Sequence, residues 1–254
     1  MKKILTTAIL CAGLVGFTAC DSFLDEDPKS SLTLDTYYKT SADIIGNVNY
    51  LYRDGAPDKM GNMTGAYRGS SLSVMNMVTG YFVNEYEGQE VDCSYARQLT
   101  RQDFTQSCCN YLTNDTWKSC YKSINVANAV IKYVDGVEMD NQAQYKAEAR
   151  FFRALNYFYL VKMFGDVPMV TEPTEDATLV EYPTRTAASE VFNTVIIPDL
   201  QFAVENLPNA TFAGNSHRVT KYAADMLLAD VYMRLGEYLS LIHISEPTRP
   251  LYIS

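Results

Sequence analysis

The sequence predicts an all-α protein whose helices pack as pairs joined by irregular loops. Apolar residues recur every three or four positions over long stretches, which is the spacing of one helix face. No region shows the strict alternation that is typical of strands. Small side chains within these stretches permit the close helix contact of tetratricopeptide-like pairs; they are Ala127, Ala129, Ala154, Ala223, Ala224 and Ala229.

The first half of the chain is predicted to be the less regular half. Apolar spacing predicts a helix over 40–53, which Thr40 and Ser41 can cap. Glycines and a proline between 54 and 69 indicate a loop. A second helix is predicted over 71–82. Residues 83–108 carry little periodicity and are interpreted mostly as an exposed loop, where binding groups tend to lie.

Four stronger helices are predicted further on. The first begins at Asn114 or Asp115 and ends at Gly136, and the second begins at Asp140 or Asn141 and ends at Gly165. A third covers 186–206, where Pro198 is expected to kink or split it, and a fourth covers 219–235. The core-facing residues of the first two helices are expected to be Trp117, Tyr121, Ile124, Ala127, Asn128, Ile131, Phe151, Ala154, Leu155, Phe158 and Val161.

The N-terminus has the pattern of a lipoprotein signal peptide. Residues 1–19 combine two lysines with an apolar stretch too short to span a bilayer, followed by small residues before Cys20. Cleavage before Cys20 would leave it as the lipidated residue, carrying diacylglycerol and palmitate. The alternative is an ordinary signal peptide that is cut elsewhere. Residues 20–33 are acidic, lack periodicity and are interpreted as a tether.

Composition argues against several function classes. The net charge is −9 and no basic stripe is present, which argues against nucleic acid and against electrostatic binding to anionic lipid. Two histidines and the absence of Walker, Rossmann and GxSxG patterns predict no metal, no cofactor and no catalytic site. The cysteines expected in the mature chain could form disulfides in an oxidising compartment, in three possible pairings; they are Cys93, Cys108, Cys109 and Cys120.

The region 81–98 is the best candidate for ligand binding. A sugar ring can stack on an aromatic side chain while polar neighbours hold its hydroxyls. The candidate ligand-binding residues are Tyr81, Asn84, Tyr86, Tyr95 and Arg97. Each tyrosine could instead be structural. Acid pairs at 85/87 and 90/92 could in principle support glycoside hydrolysis, but carboxylates two residues apart are common by chance.

Several blocks, in order, resemble the N-terminal half of the SusD/RagB family of outer-membrane lipoproteins. They are CDSFLDEDP at 20–28, WKSCYKSINVANAVI at 117–131, EARFFRALNYFYLVKMFGDVP at 148–168, PTRTAASEVFNTVIIPDLQFAVENLP at 183–208 and HRVTKYAADMLLADVYMRLGEY at 217–238. The resemblance implies a helical body with tetratricopeptide-like pairs over 34–238. The acidic residues after Cys20 resemble the family's surface-export signal; they are Asp21, Asp25, Glu26 and Asp27.

The resemblance also implies a function and partners. Family members lie on the outer face of the outer membrane, capture glycans and cover a SusC-like TonB-dependent transporter. Some branches bind peptides instead. A third possibility is a tetratricopeptide-type docking module without a ligand of its own.

The C-terminal residues break the helical pattern. LSLIHISEPTR at 239–249 resembles a translated sequencing adapter, so 239–254 are expected to be an adapter-derived artefact. The natural segment is then expected to end near Tyr238, before the C-terminal half that the family resemblance implies. The helix over 219–235 would lack a packing partner, and its apolar face, including Tyr222, Met226, Leu227 and Val231, is expected to be partly exposed.

Overall fold

A computed structural model describes residues 33–53, 78–81, 100–102, 107–174, 183–238 and 240. These residues are mostly helical, which confirms the predicted fold class. The helices are α1 (Leu34–Tyr37), α2 (Ser41–Arg53), α3 (Ser107–Tyr133), α4 (Gln142–Phe164), α5 (Ala188–Val191), α6 (Ile197–Asn206) and α7 (Lys221–Leu235). Shorter helical elements are a 3₁₀ turn at Val134–Gly136, a π-helix at Phe192–Ile196 and a 3₁₀ turn at Ala213–Asn215.

The long helices pack in chain order. Helix α3 packs on α2 and α4, α4 also packs on α6, and α6 packs on α7. One hydrophobic core runs through these helices; its largest fully buried apolar side chains are Ile44, Val48, Leu51, Ile124, Val130, Tyr157, Leu160, Ile196 and Leu200. The strands β1 (Val167–Pro168) and β2 (Arg185–Thr186) form a two-stranded antiparallel sheet, with Val167 opposite Thr186.

Two of the predicted helix limits were wrong. Residues 78–81, placed in a helix over 71–82, form a turn in which Gly80 has φ +77°, while the rest of that range lies outside the described residues. Helix α3 begins at Ser107 and not at Asn114 or Asp115. A capping residue type is a weak signal, because tertiary packing can hold Asn or Asp inside a helix.

A π-helical turn lies directly before Pro198, where the sequence predicted a kink or a split in the helix. The turn before it is a π-helix, in which the Ile197 N–H bonds the carbonyl of Phe192, five residues back. Proline has no N–H, and its ring would clash with the carbonyl four residues earlier. The wider π turn accommodates the proline, and the buried face continues past it, since Val195 and Ile196 before Pro198 and Leu200 after it are all buried.

Aromatic packing confirms the predicted core faces of α3 and α4. Trp117 lies 5.0 Å from Tyr121 and 5.1 Å from Phe164, measured between ring centroids. Phe151, Ala154, Phe158 and Val161 are buried and Leu155 is half-buried, as their spacing predicts. Trp117 therefore packs against the core, as its place on the predicted core face indicated.

The outer face of α7 is partly apolar, as expected, but one residue was misplaced. Tyr222 and Met226 are 54% and 76% exposed, and Leu227 is half-buried. Val231, by contrast, is fully buried. Val231 follows Leu228 by three positions and Ala224 by seven, so all three residues lie on the inward face of α7. Tyr222 lies on the opposite, exposed face.

A pair of glycine substitutions should have opposite effects on stability. Gly46 lies inside α2 and Gly165 follows α4 with φ +70°, and neither has an atom within 4 Å of an added Cβ. Alanine at 46 should stabilise the protein by about 0.5–1 kcal/mol, because glycine weakens helices. Alanine at 165 should destabilise it by about 1–2 kcal/mol, because the backbone conformation is strained for any other residue. Urea unfolding of both variants tests this; equal effects would contradict it.

Among the described residues, no helix is both long and apolar enough to cross a bilayer. The apolar stretch within residues 1–19 lies outside the described residues, and its role as a signal peptide stays a prediction.

Candidate functional site

One of the five predicted ligand-binding residues lies within the described part of the chain. Tyr81 is 89% exposed, in the turn over 78–81. The Gln102 side chain donates a hydrogen bond to the Val78 carbonyl at 3.1 Å, so this turn is tied to the segment 100–102. An exposed aromatic ring on such a turn is available for stacking. The other four candidates lie outside the described residues; they are Asn84, Tyr86, Tyr95 and Arg97. The same holds for the acid pairs at 85/87 and 90/92, for Cys20, and for the acidic export residues Asp21, Asp25, Glu26 and Asp27.

A cavity of about 620 Å³ opens between the start of α2 and the connection from α3 to α4. Its apolar lining residues are Ile45, Met139 and Tyr145, and its polar ones are Ser41, Glu138, Asp140 and Asn141. Asn141 precedes α4 with φ +58°, in the left-handed region that asparagine tolerates better than most residues. The cavity therefore combines an aromatic wall with hydrogen-bonding groups.

The buried Glu148 is the centre of a polar cluster, the Glu148 cluster, which also contains Arg218, Tyr52, Gln144 and Asn49. Arg218 of this cluster contacts the ring of Tyr145, which lines the cavity. The Arg218 guanidinium donates to both Glu148 oxygens at 2.6–3.0 Å, and Glu148 is fully buried. The Tyr52 hydroxyl and Gln144 also donate to Glu148, and Arg218 donates to Asn49 at 2.8 Å. The Glu148 cluster thus joins α2, α4 and the start of α7.

Two aromatic rings complete the surroundings of Arg218. The guanidinium carbon lies 4.9 Å from the Tyr52 ring centroid and 5.3 Å from that of Tyr145, within cation–π range. Burial, and then the negative charge of Glu148, raise the pKa of Tyr52 well above its usual value. Tyr52 therefore stays neutral, donating to Glu148 and accepting from the Val219 N–H.

The sequence interpretation missed Glu148, although a signal was present. Glu148 precedes Phe151 and Phe152 by three and four positions, which places a charge on the buried face of an amphipathic helix. A buried carboxylate is costly unless it is paired, so such a position predicts a cationic partner. The identity of that partner, 70 residues away, could not be read from spacing.

A second buried network surrounds Arg153 in α4. Its guanidinium donates two hydrogen bonds to Asp199 of α6, at 2.6 and 2.8 Å, and one to Asn128 of α3, at 2.9 Å. The Arg150 guanidinium lies 3.8 Å from the same carboxylate. Three helices are therefore joined through polar groups inside the core.

This network also holds the segment 166–174, which follows α4. Asn128 donates to the carbonyls of Val170 and Glu172. The Tyr157 hydroxyl bonds both the carbonyl and the N–H of Val170, and Tyr121 donates to Pro168. Side chains from α3 and α4 thereby satisfy backbone groups that a sheet would otherwise pair. The segment leads into residues 175–182, which are not described.

The buried tyrosines predict a loss of stability in alkali. Burial raises the pKa of Tyr157 to about 12, and it raises the pKa of Tyr121 further. Above about pH 10 the unfolded phenols ionise while the folded ones stay protonated, so the unfolded state binds fewer protons. The free energy of unfolding should then fall by about 1.4 kcal/mol per pH unit for Tyr157 alone.

Denaturant unfolding from about pH 8 to 12, with phenolate absorbance recorded alongside, measures this loss. Replacing the exposed Tyr222 by phenylalanine is the matched control and should leave the alkaline profile unchanged. A constant free energy of unfolding across this range would contradict the burial argument.

Among the described residues, the side chains that commonly bind metal ions are dispersed. No group of three His, Cys, Asp or Glu side chains capable of holding a metal ion occurs among the described residues. Cys120 is fully buried in α3. The state of the other three predicted mature cysteines lies outside these observations. His217 is exposed and packs edge-on against Phe212.

Comparison with known proteins gives consistent matches. Residues 22–233 match the SusD-like family model described as starch-binding and associating with the outer membrane. SusD-like protein P2 of Formosa agariphila is 29% identical over 241 residues, 94% of this chain and 44% of the relative.

Solved structures agree with this match. A laminarin-binding SusD-like protein has a TM-score of 0.67 at 23% identity, over 82% of this chain and 43% of that one. A structure described as being with xylogluco-oligosaccharide has a TM-score of 0.54 at 25% identity, over 74% and 34%. The chain thus spans less than half the length of these proteins. Because the family model matches most of its residues and the helical fold agrees, the chain belongs to the SusD-like family.

Proposed function

We propose that the protein is a surface-exposed lipoprotein that captures glycans and delivers them to a SusC-like TonB-dependent transporter. The observation that carries the proposal is the family match over 22–233, whose description names starch binding and association with the outer membrane. The laminarin-binding neighbour and the one with xylogluco-oligosaccharide support glycans as the ligand class. The exposed ring of Tyr81 supplies a stacking group for a sugar.

The proposed mode of action is binding without cleavage. Capture needs stacking surfaces and hydrogen-bonding groups, whereas hydrolysis needs two carboxylates held at a fixed separation across the sugar. The family description names binding and no reaction. Glycan capture is therefore proposed as the whole role of the protein, with the transporter as the next step.

Membrane attachment is proposed to occur through acylated Cys20. Several acyl chains on one cysteine anchor a protein far more firmly than one chain does. The acidic residues that follow would direct export to the cell surface, as the family resemblance implies. Metabolic labelling with a palmitate analogue should mark the wild-type protein and leave Cys20→Ser unlabelled. Labelling of Cys20→Ser as strong as that of the wild type would place the lipid on another residue. Absence of label from both proteins would contradict lipid attachment.

Native gel electrophoresis in gels that contain polysaccharide tests the binding step. The purified chain should migrate more slowly in gels containing laminarin, xyloglucan or starch than in plain gels, and it should release no reducing sugar. Tyr81→Ala should weaken the retardation, while Tyr238→Ala, which removes another exposed tyrosine, should not. Migration unaffected by every neutral polysaccharide, together with binding to a peptide mixture, would replace glycans by peptides as the ligand class.

A further inference from the structure

We propose that the cavity beside Tyr145 binds one neutral saccharide unit, as a subsite distinct from the Tyr81 turn. This inference rests on the proposed glycan-binding function and assigns it a location. The cavity volume of about 620 Å³ lies within the usual range for small-molecule sites and is ample for one or two sugar rings. Saccharide recognition requires an apolar wall and convergent polar groups, and this cavity has both.

The aromatic wall is held in place from behind. Arg218 lies against the Tyr145 ring, and its guanidinium is fixed by the hydrogen bonds to the buried Glu148. A ring in such a setting loses little conformational freedom when a ligand binds, and this favours affinity. Ile45 and Met139 add apolar surface beside it.

The connection that carries the polar rim is also ordered. The Gln142 side chain donates to the carbonyls of Val134 and Val137, at 2.7 and 3.1 Å, and so fixes the path of the chain towards Asn141. At the opposite rim, Asp43 accepts hydrogen bonds from the Thr40 backbone and hydroxyl and caps the start of α2 beside Ser41. The backbone on both sides of the cavity is therefore held in place by side-chain hydrogen bonds.

The charge of the rim selects the type of sugar. Glu138 and Asp140 are exposed and form no hydrogen bond or ion pair with any described residue, so both carboxylates can accept from sugar hydroxyls. No cation is among the lining residues, and the neighbouring Lys146 is paired with Asp135. Sugars that carry carboxylate or sulfate groups would be repelled, which leaves neutral units as the fitting class.

Hydrogen–deuterium exchange with calorimetry tests the assignment on the whole chain. The probes are laminarihexaose and a xyloglucan oligosaccharide, with an oligogalacturonate as the acidic comparison. A neutral oligosaccharide should slow exchange over 138–145, and the acidic one should not. The double variant Glu138→Ala/Asp140→Ala should lower affinity about tenfold, the effect of losing hydrogen bonds to charged groups. Glu237→Ala, which removes an exposed carboxylate outside the cavity, should bind as the wild type does.

The outcomes separate this inference from the broader function. Binding with protection only outside 138–145, and with an unchanged affinity in the double variant, overturns the subsite while glycan capture stands. Protection over 138–145 by the oligogalacturonate overturns the charge argument. Absence of binding to every probe counts against the subsite and the proposed function together. Circular dichroism of the double variant verifies that its helices are intact.

Discussion

Replacing Arg218 by alanine is expected to lower the free energy of unfolding by about 3 kcal/mol. The reason is that Glu148, which is fully buried, would lose the guanidinium that bonds both of its oxygens. Tyr52 and Gln144 could still donate to it, but neither carries a compensating charge. The loss should be larger than for any surface substitution, because an unpaired buried charge bears its full desolvation cost.

Chemical denaturation of the purified chain measures this effect. Lys118→Ala is the matched control, since it removes an exposed cation from α3 and should change the free energy of unfolding by less than about 0.5 kcal/mol. A double variant, Arg218→Met with Glu148→Leu, should recover much of the loss, because it removes both charges. If Arg218→Ala is as stable as Lys118→Ala, the Glu148 cluster does not hold α2, α4 and α7 together.

Replacing Asp199 by alanine is expected to cost about 3–5 kcal/mol and to loosen the segment 166–174. The Asp199 carboxylate is 2% exposed and faces the guanidiniums of Arg153 and Arg150, so its removal leaves two neighbouring cations without their counter-charge. Arg153 in turn orients Asn128, which holds the carbonyl of Val170. The loss of stability should therefore be accompanied by loosening of the segment 166–174, which the creation of a cavity alone would not produce.

Amide exchange under native conditions separates these two effects. In Asp199→Ala, the amide of Val170 should exchange faster relative to α3 amides than it does in the wild type. Glu190→Ala, an exposed carboxylate in α5, is the control and should leave that ratio unchanged. A uniform acceleration across all helices would mean that Asp199 contributes only to global stability and does not position the segment.

The helices were predictable because their signals are local. Apolar spacing placed α4 and α7 within about two residues of their observed limits. Gly165 and Gly236 follow these helices with positive φ angles. Pro198 was correctly identified as a point of disturbance, since its effect follows from its own covalent structure. The turn at 78–81 was missed because the apolar spacing that predicted a helix over 71–82 extends into these residues.

The polar interior was not predictable in the same way. Glu148 with Arg218 and Arg153 with Asp199 are joined over 70 and 46 residues, so their pairing depends on how the helices stack. The cavity beside Tyr145 likewise brings together Ser41 and Asp140, which no sequence period relates. Of the predicted ligand-binding residues, Tyr81 lies within the described part of the chain, and its ring is exposed.

Retention of fluorescent polysaccharide on cells that display surface lipoproteins tests the central claim most directly. Cells expressing the protein should retain labelled laminarin or xyloglucan at their surface and release no shortened sugar into the medium. Cys20→Ala should lose this retention, because the protein would no longer be anchored. Equal retention by cells with and without the protein, or steady release of small sugars by the purified chain, would contradict surface capture of glycans.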